Sequence, residues 1–402
     1  MRIAFINRYF YPDLSATAQM LTELTEDLDA RGEIVTVLTS RLTYLSSQTL
    51  LPATEMHKGI HILRVRSTAF GRGRQHGRLA DYLSFYPAAL WAAFRLKGQD
   101  CLVVLSDPPL LSVLAVIVGR LKHVKTVCWL QDVFPEIAFR AGVIPAGLIG
   151  RVLEQVALWS LRRMDQIIVL GRCMERHLLS CGLPARKVIR IPNWADGSHI
   201  RPVDRRDNEF FEQHHLQDRF VVMYSGNHGV VHEFKTILAL IRETRSIQQI
   251  CFCFIGEGSQ KGQLVEAAQQ EGWQHVLFLP YQPKERLGFS LSAGDVHVVS
   301  LRSEMVGLSI PSKIYGIMAA GRPVIFIGPG ESEVAALIRE AGCGYVVQPG
   351  DGQGAAGALL ACYRDRIRLE KQGQAGRRYF ERYGDRPVAT ERFWRVLRRV
   401  TA

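Results

Sequence analysis

The stretch from residue 303 to residue 326 carries the strongest chemical signal of the sequence: a glycine turn, several polar side chains and a lysine. It follows an apolar strand-like run and opens a helical pattern, for which Ser309 is the expected N-cap and Pro311 lies in the first turn. Free backbone N–H groups at a helix start favour an anion, and Lys313 adds a full positive charge nearby. The pattern predicts a diphosphate site, with an ordinary strand–turn–helix bearing a surface lysine as the alternative.

Polar and backbone groups around this lysine could bind other parts of the same ligand. Ser312 offers a hydroxyl donor, and Glu304 could accept hydrogen bonds from ribose or sugar hydroxyls. Gly307 and Leu308 lie between these two residues in the sequence. We therefore group all four with Lys313 in one candidate site.

Two further glycine turns follow strand-like runs in this half of the chain. In the first, Gly226 would let the backbone approach a ligand, and Asn227 and His232 could hydrogen-bond phosphate or sugar oxygens. In the second, Gly256 and Glu257 could reach a base or a ribose. Plain glycine turns with solvated histidines are the alternative. No metal site is expected, because the two histidines of the first turn lack a third ligand pattern.

The first half of the chain offers fewer chemical groups. Ser15 and Ala16 are small residues before a helical pattern, so a ligand could approach that helix start, although no GxGxxG pattern predicts a dinucleotide there. Asp132 and Glu136 come just after an apolar strand-like run, where carboxylates could position an acceptor hydroxyl or help to deprotonate it. Helix capping and a solvated loop are the alternative for this pair.

These residues must be positioned by an α/β fold, since short apolar β-rich runs alternate with longer helical patterns along the chain. Strands that are apolar on both faces and separated by helices predict parallel sheets covered on each side. The alternation pauses in the polar segment 193–216, which is typical of a connection between domains. We predict two Rossmann-like parallel-sheet domains facing across a cleft, with ligands at the carboxyl ends of the strands. The predicted domains are 1–200 and 201–385, followed by a C-terminal helix, 386–402, that could return to the N-terminal domain.

The charge balance restricts the partners without identifying them. The 402 residues carry a net charge of +12 and give a pI of about 9.5. Such a balance favours anionic partners, among them nucleic acid, acidic lipid and diphosphate compounds. No nucleic-acid recognition motif is present, so we predict no nucleic-acid partner.

The sequence predicts a cytoplasmic protein without a metal or other cofactor. Its N-terminus lacks the layout of a signal peptide, and its longest apolar run, 110–118, is far shorter than the roughly 20 residues of a spanning helix. The eight cysteines are scattered without zinc spacing. Asp27 and Asp29 form a DxD string, but they lie in a polar helical pattern that is typical of a solvated face.

A basic segment, Arg72–Arg78, precedes aromatic residues that could lie with it on an anionic membrane surface. These aromatic residues are Tyr82, Phe85, Tyr86, Trp91 and Phe94. A peripheral position at the inner face of the cell membrane would follow from such a contact. A long loop and a buried helix are the alternative.

Taken together, these motifs resemble family 4 of the retaining glycosyltransferases, which have the GT-B fold, and especially the members that build bacterial surface polysaccharides. Order and spacing match over nearly the whole chain. The matching segments are Tyr11-Pro-Asp, Gln131-Asp-Val-Phe-Pro-Glu, Ile191-Pro-Asn-Trp, Tyr224-Ser-Gly-Asn, Ile255-Gly-Glu-Gly, Ile310-Pro-Ser-Lys and Gly321-Arg-Pro-Val-Ile.

The resemblance implies a hexosyltransferase-type enzyme that moves a sugar from a nucleotide-sugar donor to a glycan or a polyprenyl-diphosphate-linked sugar, with UDP as the expected nucleotide. It also implies retention at the anomeric carbon and no required metal or cofactor. The acceptor would attack from the face that the nucleoside diphosphate leaves, and Lys313 would stabilise the departing charge. On this resemblance, the expected catalytic residues are Lys313, Asp132 and His232. The donor site would comprise Gly226, Asn227, Gly256, Glu257, Glu304, Gly307, Leu308, Ser309 and Ser312, and the acceptor side Ser15, Ala16 and Glu136.

The chain departs from the family pattern at several charged positions. Gln131 and Asn227 stand where members often carry arginine, and His232 stands in place of a common lysine. Gly316 aligns with the second glutamate of the paired-glutamate motif. These differences leave Lys313 as the main phosphate cation. A nucleotide-sugar 2-epimerase of related fold and a non-catalytic glycosyltransferase-like partner protein are the alternatives.

Overall fold

This computed structural model describes residues 1–13, 15–43, 50–70, 75–143 and 147–402, with the backbone alone for residues 75, 76, 78 and 79. The chain divides into two compact units. The first unit comprises residues 1–192 and 389–402, and the second unit comprises residues 193–388. The segment 193–216, which we expected to be a connection, lies wholly within the second unit, and its Phe210, Phe211 and Leu216 are buried there. The segment is rich in charged residues, so its short packed helix is not apparent from the sequence.

The first unit is built on one sheet with helices between its strands. Its elements are β1 Arg2–Ile6, α1 Ala16–Ala30, β2 Ile34–Ser40, β3 Thr54–His57, β4 Ile60–Val65, α2 Gln75–Arg95, β5 Cys101–Leu105, α3 Leu111–Lys122, β6 Lys125–Leu130, α4 Glu136–Arg140, α5 Leu148–Arg163, β7 Gln166–Val169, α6 Arg172–Ser180 and β8 Val188–Arg190. The strand order is β3-β4-β2-β1-β5-β6-β7-β8. All neighbours are parallel except β3 and β4. The edge strand β3 is polar and mostly outside the core, so no apolar run marks it in the sequence.

The second unit holds a fully parallel sheet of six strands, in the order β11-β10-β9-β12-β13-β14. Its elements are α7 Glu209–Gln213, β9 Phe220–Ser225, α8 Lys235–Thr244, β10 Ile250–Ile255, α9 Lys261–Gln270, β11 Val276–Leu279, α10 Leu287–Ala293, β12 Val296–Ser300, α11 Lys313–Ala319, β13 Val324–Ile327, α12 Glu333–Ala341, β14 Gly344–Val347, α13 Gly352–Arg364 and α14 Arg366–Tyr383, and α15 Arg386–Thr401 begins in this unit. The central strands β9, β10 and β12 are almost entirely buried, as expected for a parallel sheet covered on both faces.

The last helix, α15, begins in the second unit, and its residues from 389 onward belong to the first. In the first unit, Phe393 packs edge-on against Trp129 of β6, with 4.9 Å between the ring centroids. Among the described helices, none combines the length and the apolar character that crossing a membrane requires.

Candidate functional site

Three turns meet at the carboxyl edge of the sheet in the second unit. They follow β9, β10 and β12, and β9 pairs with β10 on one side and with β12 on the other. The chain order therefore reverses at β9, and such a switch point is where open α/β sheets bind ligands. The turns carry Gly226, Gly256 and the segment that leads to Lys313, so the sheet brings together the three stretches singled out in the sequence.

Lys313 places a buried cation at this edge. Its Nζ lies 3.7 Å from the centroid of the Tyr224 ring, and a β-carbon added to Gly226 would lie 3.6 Å from the same nitrogen. Among the described residues, none accepts a hydrogen bond from this Nζ, although the atom is buried. Burial lowers the pKa of Lys313 well below its ordinary value of 10.5. The ring face attracts the ammonium group but neutralises no charge, so the site favours an anionic ligand.

His232 is oriented by the backbone of β12. Its Nδ1 donates a hydrogen bond to the carbonyl oxygen of Ser300 at 2.8 Å. Burial, and then the charge of Lys313, lower the pKa of His232 well below 6.5, so the ring is neutral at pH 7. Its Nε2 is therefore a hydrogen-bond acceptor. Of the two roles predicted for His232, this geometry favours a contact with a sugar hydroxyl over one with a phosphate oxygen.

His228 is fully enclosed, with an exposed fraction of 0%. Its ring stacks on Phe234 at an interplanar angle of 16° and lies 5.1 Å from the ring of Tyr224. Neither ring nitrogen has a hydrogen-bond partner among the described residues. The alternative of solvated histidines in this turn is thus wrong, because both rings pack beneath the turn.

Replacing His228 by phenylalanine should change how stability depends on pH. Burial, and then the charge of Lys313, lower the pKa of His228 from 6.5 to about 4. The unfolded chain therefore takes up this proton first as the pH falls, and the native protein loses stability between pH 6.5 and about 4. Relative to the wild type, His228→Phe should gain roughly 3 kcal/mol of unfolding free energy across that window. Urea unfolding of both proteins at several pH values measures this difference, and parallel pH profiles would contradict a buried neutral His228.

Two of the turns are packed backbone to backbone, and this requires glycine. Gly226 and Gly256 have φ angles of 126° and 125°. The Gly226 N–H donates to the Ile255 carbonyl oxygen at 2.9 Å. A β-carbon on Gly256 would lie only 2.2 Å from the Gly226 carbonyl oxygen. The two glycines thus hold the backbone of these turns close together beside Lys313.

Two polar residues of these turns lie at the surface. Asn227 is exposed, and its carbonyl oxygen accepts a hydrogen bond from the Tyr224 hydroxyl at 3.0 Å. Glu257 is also exposed, and its carboxylate pairs with Lys261 at 2.6 Å. The Glu257 carbonyl oxygen accepts a hydrogen bond from the His228 N–H at 2.9 Å. The Glu257 backbone therefore joins the turn after β10 to the turn after β9, whereas the Asn227 bond lies within β9 and the turn after it.

The prediction that Ser309 caps the helix is wrong. Helix α11 begins at Lys313, and Ser312 occupies the cap position without a side-chain capping hydrogen bond. Ser309 lies in a preceding turn, where its N–H donates to the Met305 carbonyl oxygen at 3.2 Å. The cause is Pro311, because a residue before proline is held away from the helical region. Because the helix has only seven residues, we expect the side-chain charge of Lys313 to attract an anion more strongly than the N-terminus of the helix does.

Glu304 has a partner that the sequence did not indicate. Its carboxylate forms an ion pair with Arg302, whose Nε donates to it at 3.0 Å. Arg302 also donates through its backbone N–H to Val231 at 3.0 Å and through Nη1 to Val230 at 3.2 Å. Arg302 therefore ties the turn after β12 to the turn after β9, and a ribose hydroxyl at Glu304 would share this carboxylate with it. Gly307 and Leu308, which lie between Glu304 and the helix, are buried.

The predicted acceptor-side residues lie in the first unit. Ser15 is the residue before α1 and Ala16 is its exposed first residue. The Ser15 Oγ is buried and forms no capping bond or other hydrogen bond with a described residue. Asp132 is half-buried after β6, and its N–H donates to the Ser106 hydroxyl at 3.2 Å. These positions agree with a polar turn at the carboxyl edge of this sheet.

Glu136 is paired within the first unit. Its carboxylate forms a hydrogen bond with Nε2 of His177, and the Cys181 sulfur lies 3.9 Å from the same nitrogen. One ligand-type atom from each of these three residues lies within 4.8 Å of the others, which is a metal-compatible grouping. Sequence spacing did not indicate it, because Glu136 is 41 residues from His177. An acceptor hydroxyl at Glu136 would compete with the His177 ring.

Two protein-family models match the chain one after the other. The model of the glycosyl transferase 4-like domain matches residues 15–194. The model of the glycosyl transferases group 1 matches residues 205–379. Both models therefore describe α/β domains of the same kind of enzyme, and together they leave only short segments unmatched.

Individual proteins give the same indication. The chain is 28% identical over 258 residues to the probable glycosyltransferase WbjE of Pseudomonas aeruginosa. The matched region covers 64% of each protein, which is just under two thirds of the length of WbjE. It is 25% identical over 288 residues to the putative colanic acid biosynthesis glycosyl transferase WcaI of Escherichia coli, covering 70% of each. The solved structure of Anabaena HepE with UDP-glucose superposes with a TM-score of 0.75 at 15% identity, over 99% of both chains, which shows a common fold.

From its two parallel-sheet domains and the two family matches, we conclude that this chain belongs to the group 1 glycosyltransferases and has the GT-B fold.

Proposed function

We propose that the chain transfers a sugar from a nucleoside diphosphate donor, with the diphosphate bound at Lys313. The observation that carries this proposal is the buried Lys313 Nζ, for which no described residue is a hydrogen-bond acceptor. An uncompensated buried cation is costly for a protein to keep. A diphosphate would supply both the missing charge and the missing acceptor oxygens. The switch point of the sheet lies at the same place and gives such a ligand room to approach.

UDP is the nucleotide that we propose for the donor. HepE, which shares the fold, has been solved with UDP-glucose. Gly226 and Gly256 bring backbone close to the space beside Lys313 without side chains in the way. Glu304 would accept from the ribose or the sugar, and Ser312 would donate to the diphosphate. Neutral His232 would accept a hydrogen bond from a hydroxyl of the donor sugar.

In the mechanism that we propose, the protein accelerates sugar transfer by stabilising the negative charge of the leaving group. Negative charge grows on the departing diphosphate as the glycosidic bond breaks, and the Lys313 ammonium group meets it in a site without bulk water. The acceptor hydroxyl attacks from the face that the diphosphate leaves and passes its proton to an oxygen of the departing diphosphate, so the configuration at the anomeric carbon is retained. The mechanism uses no metal, because Lys313 carries the charge that a cation would otherwise supply.

A glycan or a polyprenyl-diphosphate-linked sugar is the acceptor that we propose. WcaI bears a name that refers to colanic acid biosynthesis, and its relationship to this chain supports a role in polysaccharide synthesis. Asp132 in the first unit is the residue that we assign to positioning the acceptor hydroxyl. Ser15 has a buried hydroxyl with no partner among the described residues, so it is a further candidate for acceptor contact.

A donor panel tests this function. The protein is incubated with UDP-, GDP- and ADP-sugars, with and without a polyprenyl-diphosphate-linked sugar, and nucleotide release is measured. We expect release of UDP that depends on the acceptor, and a product whose anomeric configuration, read by NMR, equals that of the donor. Release of a free sugar isomer without acceptor would identify an epimerase instead. Donor binding without turnover under every condition would identify a non-catalytic protein.

A further inference from the structure

Helix α2 presents an apolar stripe to solvent. Leu83, Pro87, Trp91 and Phe94 recur at intervals of three or four residues and are all exposed. Phe85 is buried, so the expectation that it lies on a surface with Trp91 is wrong, whereas Tyr82 and Tyr86 are half-buried. The basic segment before them falls largely on residues 71–74, outside the described part of the chain. The exposed stripe of α2 therefore includes Trp91 and Phe94 of the expected aromatic residues, together with Leu83 and Pro87.

Helices α3 and α5 continue this apolar surface. On α3, Ile117 and Leu121 are exposed one turn apart, and 68% of Leu121 is accessible. On α5, Leu148, Val152 and Trp159 are exposed along one face, where an open apolar groove of about 540 Å³ runs beside Val152 and Trp159. Half of the exposed large apolar side chains in the described part of the chain lie on α2, α3 and α5. Such clustering indicates a binding surface rather than scattered exposure.

The three helices form one layer with α3 in the middle. The hydroxyls of Ser112 on α3 and Ser160 on α5 are hydrogen-bonded at 2.7 Å. The Lys122 ammonium at the end of α3 donates to the Phe94 carbonyl oxygen of α2 at 2.8 Å. These bonds hold the helices side by side, so their outward stripes join. We call this surface the α2–α3–α5 face.

The face is strongly basic. Five arginines of helices α2, α3 and α5 are exposed, and these are Arg95, Arg120, Arg151, Arg162 and Arg163. The three helices contain two acidic residues. One of the two, Asp81, is buried and pairs with Arg8 at 3.5 Å, so it adds no negative charge to the surface. A second copy of the chain would bring these five exposed arginines against the same five. An anionic partner is therefore favoured over self-association.

Arginine–tryptophan pairs occur on both outer helices. The guanidinium carbon of Arg95 lies 3.6 Å from the ring centroid of Trp91. That of Arg163 lies 4.5 Å from the ring centroid of Trp159. Tryptophan is enriched where apolar chains meet polar headgroups, and arginine can extend its charge along such a boundary while its stem stays apolar. This combination matches a bilayer interface better than the surface of an acidic protein.

We propose that the α2–α3–α5 face docks on an anionic membrane surface, with its apolar stripes entering the headgroup region and its arginines contacting lipid phosphates. Clusters of basic residues beside an apolar helical face bind such surfaces without spanning them. None of the residues concerned belongs to the donor site around Lys313. Membrane binding and sugar transfer can therefore fail separately.

Vesicle flotation of the whole chain tests this proposal. Wild-type protein is mixed with vesicles of phosphatidylcholine alone or of equal parts phosphatidylcholine and phosphatidylglycerol, at low and at high salt. We expect binding to the anionic vesicles that weakens at high salt, and little binding to neutral ones. The triple variant Trp91→Gln, Leu121→Gln, Val152→Gln should bind roughly tenfold more weakly or worse. Circular dichroism checks that this variant is folded, as expected for three exposed positions.

A matched pair of single variants locates the surface. Leu121 and Ile367 are equally exposed, at 68%, but Ile367 lies on α14 in the second unit. Leu121→Gln should weaken vesicle binding, whereas Ile367→Gln should leave it unchanged. The proposal is overturned if wild-type protein fails to bind anionic vesicles at low salt, or if the folded triple variant binds as the wild type does. A dimer in solution that the triple variant abolishes would make the face a self-association surface and would also overturn it.

Discussion

Replacing Lys313 by methionine is expected to lower the turnover of sugar transfer by roughly 100-fold or more. Methionine fills similar space over the Tyr224 ring but carries no charge, so the departing diphosphate would lose its main cation. Lys313 is the main phosphate cation that remains when the chain is compared with the family pattern. Asn227 and His232 stand where members often carry arginine and lysine, but Asn227 has no charge and the His232 ring is neutral at pH 7. Initial rates with saturating donor and acceptor measure the effect.

The control for this variant is Lys235→Met, since Lys235 is exposed at the start of α8. Its turnover should equal that of the wild type. Without nucleotide, Lys313→Met should also be more stable than the wild type, because it removes a buried charge whose pKa is lowered by burial. This gain should shrink as the pH rises toward 10.5, where the unfolded chain also loses the proton. Near-normal turnover of a folded Lys313→Met protein would refute the role of Lys313.

Replacing Gly256 by alanine is expected to disrupt the site from its backbone. The added β-carbon would lie 2.2 Å from the carbonyl oxygen of Gly226, and the φ angle of 125° is strained for any residue with a side chain. We expect a loss of roughly 3 kcal/mol or more of unfolding free energy. Because the turns after β9 and β10 must separate, UDP should also bind more weakly. Urea unfolding and calorimetric titration measure the two effects.

Gly262 provides the matched control in the helix that follows. A β-carbon at Gly262 would meet no atom within 4 Å, and the residue lies in α9. Gly262→Ala should leave UDP binding unchanged and should stabilise the protein by up to about 1 kcal/mol. If Gly256→Ala behaved like Gly262→Ala in both measurements, neither stability nor UDP binding would depend on the close packing of the two turns.

Much of the architecture could be predicted, because its determinants are local. Runs such as Ile250–Ile255 are buried on both faces of a parallel sheet, and this leaves a continuous apolar signature in the sequence. The glycine turns after β9 and β10 were recognisable for the same reason, since glycine permits both the φ angle and the close approach. The edge strand β3 has neither signature and was missed.

The details of the site depend on contacts between distant residues, so the sequence could not supply them. The exact start of α11 was decided by Pro311 against the favourable capping chemistry of Ser309. The pairing of Glu304 with Arg302 and the enclosure of His228 by Phe234 arise only when separate turns pack together. The exposure of a side chain also depends on tertiary packing. Phe85 and Trp91 are both aromatic residues of α2, yet Phe85 is buried and Trp91 is exposed.

Calorimetric titration of UDP and of uridine into the wild type and Lys313→Met tests whether a diphosphate binds at Lys313. Uridine lacks the diphosphate, so it reports contacts to the base and ribose alone. We predict that the wild type binds UDP much more tightly than uridine, and that Lys313→Met binds the two with nearly equal affinity. Unchanged UDP affinity in the folded Lys313→Met protein would show that the diphosphate does not bind at Lys313.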